Sequence, residues 1–202
     1  MRTSAIIGSI AAAIAAFLIA TTSVLALEAL KDEKDRLKAC EQKLCRLVTG
    51  KSPAKGTFAC SLAKTWARDT IKQGSSSGSV SWAFGDARCT VELSLDQAGI
   101  VEAIKGVEYT LQFPEHKVAC VIEREKEVTP VTLRAAPKIK FKDGRARKIW
   151  VNLMDVEGPS ALRGLAFSVA KLEDSVGLFH RPLVKAVNHM IEEKCPKVAA
   201  GG

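Results

Sequence analysis

Residues 88–95 read Arg88-Cys89-Thr90-Val91-Glu92-Leu93-Ser94-Leu95. Apolar and polar side chains alternate without a break. Successive side chains of an extended strand point to opposite faces. Cys89, Val91, Leu93 and Leu95 therefore share one face, and Arg88, Thr90, Glu92 and Ser94 the other. A strand with one apolar and one polar face belongs to a sheet covered on one side, which is the habit of antiparallel sheets. Asp96 follows at once, placed to cap a short helix that carries Ile100, Val101 and Ile104 and closes at Gly106.

The same period of two recurs on both sides of this stretch. Val80, Trp82 and Phe84 alternate with small polar residues before a turn at Gly85-Asp86. Downstream come Val107, Tyr109, Leu111 and Phe113, then a turn at Pro114-Glu115-His116, then Val118, Cys120 and Ile122. A weaker strand around Val131 and Leu133 is interrupted by Pro130 and Pro137. Ile139 and Phe141 lead into Asp143-Gly144, a strong hairpin signal, and one long strand over 146–156 returns.

Toward the chain ends the period becomes helical. Over 28–48, Leu30, Leu37, Cys40, Leu44 and Leu47 make a stripe that Gly50 and Pro53 end. A second helix is expected after Thr57, with Leu62 and Trp66 four apart, stopping at Gly74 before a Gly/Ser linker over 74–79. Gly158-Pro159 opens a helix with the stripe Leu162, Leu165, Ala166, Val169 and Leu172, broken by Gly177. Pro182 opens a last helix, which Cys195-Pro196 should end. The expected fold is α+β: an antiparallel sheet of about five to seven strands, with helices from both chain ends packed on one face.

The first 26 residues have another character. Arg2 precedes an apolar stretch from Ala5 to Ala20, followed by Thr21-Thr22-Ser23 and the small-residue site Val24-Leu25-Ala26. That order is a secretory signal peptide over 1–26, which leaves a single exported domain over 27–202. An uncleaved anchor is the competing reading, because the stretch extended through Leu27 nears the roughly 20 residues a bilayer crossing needs. Nothing later in the chain is long and apolar enough to span, so no membrane span is expected in the mature chain.

Export changes how the cysteines are read. Cys40, Cys45, Cys60, Cys89, Cys120 and Cys195 all follow the signal, and an even number in an oxidising compartment implies three disulfides. No close CxxC pair suggests a metal, and neither metal nor cofactor is expected. Cys40 and Cys45 lie about 140° apart around a helix, so each needs a partner elsewhere. Cys89 and Cys120 both point to the core side of strands and form the natural pair. Cys45–Cys60 and Cys40–Cys195 are the assignments expected for the rest.

No catalytic constellation survives inspection. Gly74-Ser75-Ser76-Ser77-Gly78 matches G-x-S-x-G, but a helix enters and a strand leaves, the reverse of a nucleophile elbow. His116, His180 and His189 have no second histidine at helical spacing. Glu123, Glu125 and Glu127 alternate at a strand end, where a solvated edge is the simpler reading.

The hairpin over 138–148 is the most informative surface feature. Lys138, Lys140 and Lys142 share a face. A two-residue turn would oppose Lys142 to Arg145 and Lys140 to Arg147, with like charges facing each other. A three-residue loop with a bulge is preferred, because it aligns Ile149, Val151 and Leu153 with Ile139 and Phe141. Lys148 and Trp150 then join the lysine face. Lys138, Lys140, Lys142, Arg145, Arg147, Lys148 and Trp150 form the candidate ligand-binding strip.

The whole chain carries 30 Lys+Arg against 22 Asp+Glu, and loses one arginine with the signal. A basic exported domain favours an anionic lipid or an acidic protein as partner, and not nucleic acid. The expected function is a secreted or periplasmic, non-catalytic binding protein for an amphipathic or anionic ligand such as a lipid. Its apolar part would lie in a cleft between helices and sheet, with the strip holding an acidic headgroup at the rim. A protein-interaction module, such as an inhibitor or envelope-complex subunit, is the alternative. A hydrolase of unknown type is the third reading.

Overall fold

The ten residues Thr57–Trp66 form a strand, β1, and not the expected helix. The spacing of four between Leu62 and Trp66 is shared by both periods and discriminates nothing. The deciding alternation is Phe58, Cys60 and Leu62 against Thr57, Ala59, Ser61, Ala63 and Thr65, with β-favouring Thr, Phe and Trp at several positions. β1 pairs along its whole length with β2, Ala87–Asp96.

A computed structural model describes residues 27–75, 81–124, 127–176 and 180–200. The signal sequence expected over 1–26, Val80, and most of the Gly/Ser run lie outside them. The other strands are β3 Glu108–Gln112, β4 His116–Glu123, β5 Val128–Ala135, β6 Lys138–Lys142, β7 Arg145–Trp150 and β8 Leu153–Glu157. The helices are α1 Glu33–Val48, α2 Arg68–Ser75, α3 Gln97–Lys105, α4 Ser160–Val176, α5 His180–His189 and α6 Cys195–Ala200, with a π-helical turn at Met190–Lys194. The α+β, antiparallel reading holds. The strands divide between a five-stranded sheet, ordered β1-β2-β4-β5-β8, and a three-stranded one, ordered β3-β6-β7. Residues 81–84 are not a strand; Trp82 instead donates its indole N–H to the Gly85 carbonyl at 2.8 Å and packs edge-on against Phe84.

The two sheets share one chain path. β5 passes to β6 through Ala136-Pro137, and β7 passes back to β8 through Val151-Asn152, so the long strand expected over 146–156 is broken. Asn152 adopts φ 47°, a left-handed conformation that asparagine tolerates. Its side chain donates to the Ala136 carbonyl at 3.1 Å, while Asp174 of α4 accepts the backbone N–H groups of Val151 and Asn152 at 2.6 and 3.0 Å. These bonds fix the corner where the strands change sheets.

One face of the large sheet carries Phe58, Cys60, Leu93, Leu95, Val118, Cys120, Ile122, Val131 and Val156 in register. α4 covers one end of that face through Leu162 and Ala166. The small sheet, α1, α3 and α5 cover the other end, where Phe58, Leu95, Ile100, Leu111, Ile139, Phe141 and Ile149 meet. Asp96 caps α3 as expected, accepting from the Gly99 N–H at 2.9 Å. The hairpin tip at Asp143-Gly144 has φ of 52° and 70°, and a Cβ on Gly144 would sit 2.6 Å from the Ile104 carbonyl. Glycine is needed there on both counts.

Three disulfides form: Cys40–Cys60, Cys45–Cys195 and Cys89–Cys120. Cys89 and Cys120 are direct cross-strand partners, as expected. The other two pairings are exchanged relative to the expectation. α1 presents Cys40, on its apolar stripe with Leu37 and Leu44, to β1 and Cys45 to the C-terminal helix. The last helix also does not end at Cys195-Pro196. A π turn precedes the proline, with the Cys195 N–H bonded to the Met190 carbonyl. A locally widened turn is one way a helix accommodates a ring that would clash with the preceding turn and a donor that is missing.

Both outer strands of this region are tied to helices. The β1 edge meets Glu33 of α1, whose carboxylate accepts the Thr65 N–H at 2.8 Å and the Thr65 hydroxyl at 2.9 Å. Burial raises the affinity of Glu33 for a proton, but the Thr65 bonds and Lys64 outweigh it and hold the carboxyl below its ordinary range. At β7, Asn188 of α5 accepts the Ala146 N–H at 2.8 Å and donates to the Ala146 carbonyl at 3.1 Å, taking the place of a further strand.

Candidate functional site

Between these tied walls the core is hollow. A cavity of about 370 Å³ lies between α1, α3, the α5–π segment and the inner faces of both sheets. Each wall supplies apolar side chains for a local reason. The α1 stripe gives Leu37, Leu44 and Val48; β1 and β2 give Phe58, Leu62, Leu93 and Leu95 through their alternation. α3 gives Ile100, Ala103 and Ile104; the small sheet gives Leu111, Ile139 and Phe141; the last helix gives Ala186, Val187, Met190 and Ile191. Among the described residues that line it, Glu41 is the only charged side chain.

The walls are held by strong constraints. Cys40–Cys60 ties α1 to β1, Cys45–Cys195 ties α1 to α6, and Asn188 ties α5 to β7. An apolar lining of this kind suits apolar guests. The volume falls within the roughly 300–1,000 Å³ of small-molecule sites. At the mouth Leu37 is exposed, and Lys194 Nζ lies 2.9 Å from Glu41 Oε1.

The basic strip lies elsewhere. In the small sheet Lys138 faces Trp150, Lys140 faces Lys148, and Lys142 faces Arg145. The turn has two residues and not three, and the bulge falls at Arg147, two residues beyond the loop expected from sequence. Ile149 still aligns with Ile139, and Lys148 and Trp150 still join the lysines. Ile139 and Phe141 point into the cavity, so Lys138, Lys140 and Lys142 point away from it. Strip and cavity occupy opposite faces of the small sheet and do not make one site.

Like charges opposed across strands are unfavourable, and local partners temper them here. Glu108 pairs with Lys140, which holds the Glu108 carboxyl below its ordinary range, and Glu192 pairs with Arg145 at 2.8 Å. Lys148 and Lys138 sit over the Trp150 ring, with Nζ at 4.7 and 5.6 Å from its centre. Lys142, Arg145, Arg147 and Lys148 are exposed.

Other candidates resolve into structure. His116 is buried at the start of β4. Its Nε2 accepts the Ser94 N–H at 2.9 Å, and its Nδ1 lies 2.7 Å from the Pro114 carbonyl, which fixes the neutral tautomer with the proton on Nδ1. It borders a wider concavity of about 570 Å³ on the polar face of the large sheet, but neither ring nitrogen is left for a substrate. His189 pairs with Glu193 at 3.1 Å. The side chain of His180 and the whole of Glu125 lie outside the described residues. Glu123 accepts the Asp86 N–H at 3.1 Å, and Glu127 pairs with Arg124. Among the described residues no group of His, Cys, Asp and Glu is placed to hold a metal ion, and no helix is long and apolar enough to cross a membrane.

Fold and site together define a disulfide-stapled α+β domain with an apolar cavity between its layers. Comparison with protein-family models, curated proteins and solved structures found no match to this chain.

Proposed function

We propose that the protein is an exported, non-catalytic binding protein for an amphipathic ligand whose apolar chain occupies the cavity between the helices and the two sheets. The observation that carries this reading is the lining: a hollow of about 370 Å³ with a single charged side chain, walled by elements that disulfides pin together. The three disulfides fit an oxidising compartment, the periplasm or the cell exterior. Native mass spectrometry of the protein incubated with n-decanol tests it. The parent chain should carry one alcohol per molecule, and Ala186→Trp, which fills the mouth from an exposed position, should carry none. An empty parent spectrum, or equal loading of the variant, contradicts the reading.

A second reading rests on a different observation: like-charged residues held opposite one another around Trp150 on an exposed face. Such a strip suits an interaction with an anionic lipid surface. Neutralising Lys138, Lys140, Lys142 and Lys148 to Gln together should abolish sedimentation with phosphatidylglycerol vesicles at low salt and flatten its salt dependence. Unchanged sedimentation removes the strip from this role.

A further inference from the structure

From the ion pair at the cavity mouth we infer that the ligand carries a cationic head group, an alkylammonium or its equivalent, and that Glu41 receives it. This rests on the cavity being the ligand site. The lining holds one formal charge, and that charge is negative. Lys194 meets it, reaching from the π turn between α5 and α6.

The two partners are not equally placed. The Glu41 side chain keeps 21% of its exposure and borders apolar surface, whereas Lys194 keeps 45%. A guest whose head group lies at Glu41 meets the pair that Lys194 already makes there. If its head group is an ammonium, Glu41 exchanges one cation for another, and Lys194 swings into water on a flexible four-carbon stem. If its head group is a carboxylate, it can pair only with Lys194. Glu41 is then left without a cation beside an apolar wall and a second negative charge, which is unfavourable on both counts. A neutral alcohol falls between the two. Lys194 thus acts as a tethered stand-in for the ligand's own cation, and the affinity order for one chain length is ammonium, alcohol, carboxylate.

The basic strip does not alter this order. Its lysines lie across the small sheet from the cavity, and two of its six cations have carboxylate partners of their own.

The test compares n-decylammonium, n-decanol and n-decanoate by isothermal titration at neutral pH, below their micelle concentrations. Decylammonium should bind at least about tenfold tighter than decanoate, the span of one charge-assisted contact. Glu41→Gln should bring the two within about threefold. Lys194→Gln should tighten decylammonium binding, because the internal competitor is gone; a head-group lysine would give the opposite result. Tighter binding of decanoate, or weaker ammonium binding in Lys194→Gln, overturns the inference. Equal binding of all three probes also overturns it and leaves the cavity reading standing. Failure of all three to bind removes both.

Discussion

Replacing Cys45 and Cys195 together with alanine should lower the stability of the domain by about 5 kcal/mol on the chain-entropy relation for a closed loop of this length. The bridge closes 150 residues and joins the first helix to the last, with both sulfurs fully buried. Cys89–Cys120 closes 31 residues, and its removal should cost about 1.4 kcal/mol less by the same relation. The larger loss has a structural companion. α6 packs on α1, and the α5–π segment forms one wall of the cavity. Without the staple that wall rests on Asn188, Arg145–Glu192 and Lys194–Glu41. Urea unfolding of the two double variants, followed by far-ultraviolet circular dichroism, measures both numbers. Equal losses, or none for Cys45→Ala/Cys195→Ala, contradict the role assigned to the long bridge. Peptide mapping without reductant should find Cys45 joined to Cys195 and Cys40 to Cys60.

Phe141→Ala should cost about 3–5 kcal/mol, the range for losing a buried phenyl ring. Phe141 is 3% exposed, packs between Tyr109 and Ala146 across the small sheet, and borders the cavity. The loss should be partly reversible from outside. A ligand that occupies the enlarged hollow stabilises the folded state by mass action, about 2.7 kcal/mol at one hundred times its dissociation constant. Thermal unfolding of Phe141→Ala with and without n-decanol should therefore show an upward shift at least as large as in the parent. A variant that unfolds as easily with the alcohol as without it contradicts the placement of Phe141 on a ligand-accessible wall.

How far these features could be read from the residues depends on the distance over which they are decided. Alternation over 88–95, the Asp96 cap and the position of the Asp143-Gly144 turn are local, and each stands where the sequence puts it; the loop has two residues and not the three expected. Cys89 and Cys120 were legible as a pair because both lie on the same face of strands. Cys40 and Cys45 were legible as pointing apart, but their partners depend on how α1 is rotated about its axis, which β1 and α6 decide from 20 and 150 residues away. Over Thr57–Trp66 the spacing of four between Leu62 and Trp66 fits both periods and cannot separate helix from strand. The sheet change at Asn152 left only a Val-Asn step as a local sign. Glu41 had no signal beyond its place on a charged helix. The cavity itself is a shortfall of side-chain volume summed over several elements, and no window of sequence contains it.

A chain-length series of n-alkanols, titrated calorimetrically into the parent protein, bears on the hollow core with the fewest intermediate assumptions. Each added methylene buried in an apolar cavity contributes about 0.8 kcal/mol, so affinity should rise about fourfold per carbon and then level off once the hollow is full. Ala186→Trp should abolish the rise. Affinity that does not change with chain length, or that changes identically in the blocked variant, would mean that the chain of the ligand does not enter the cavity.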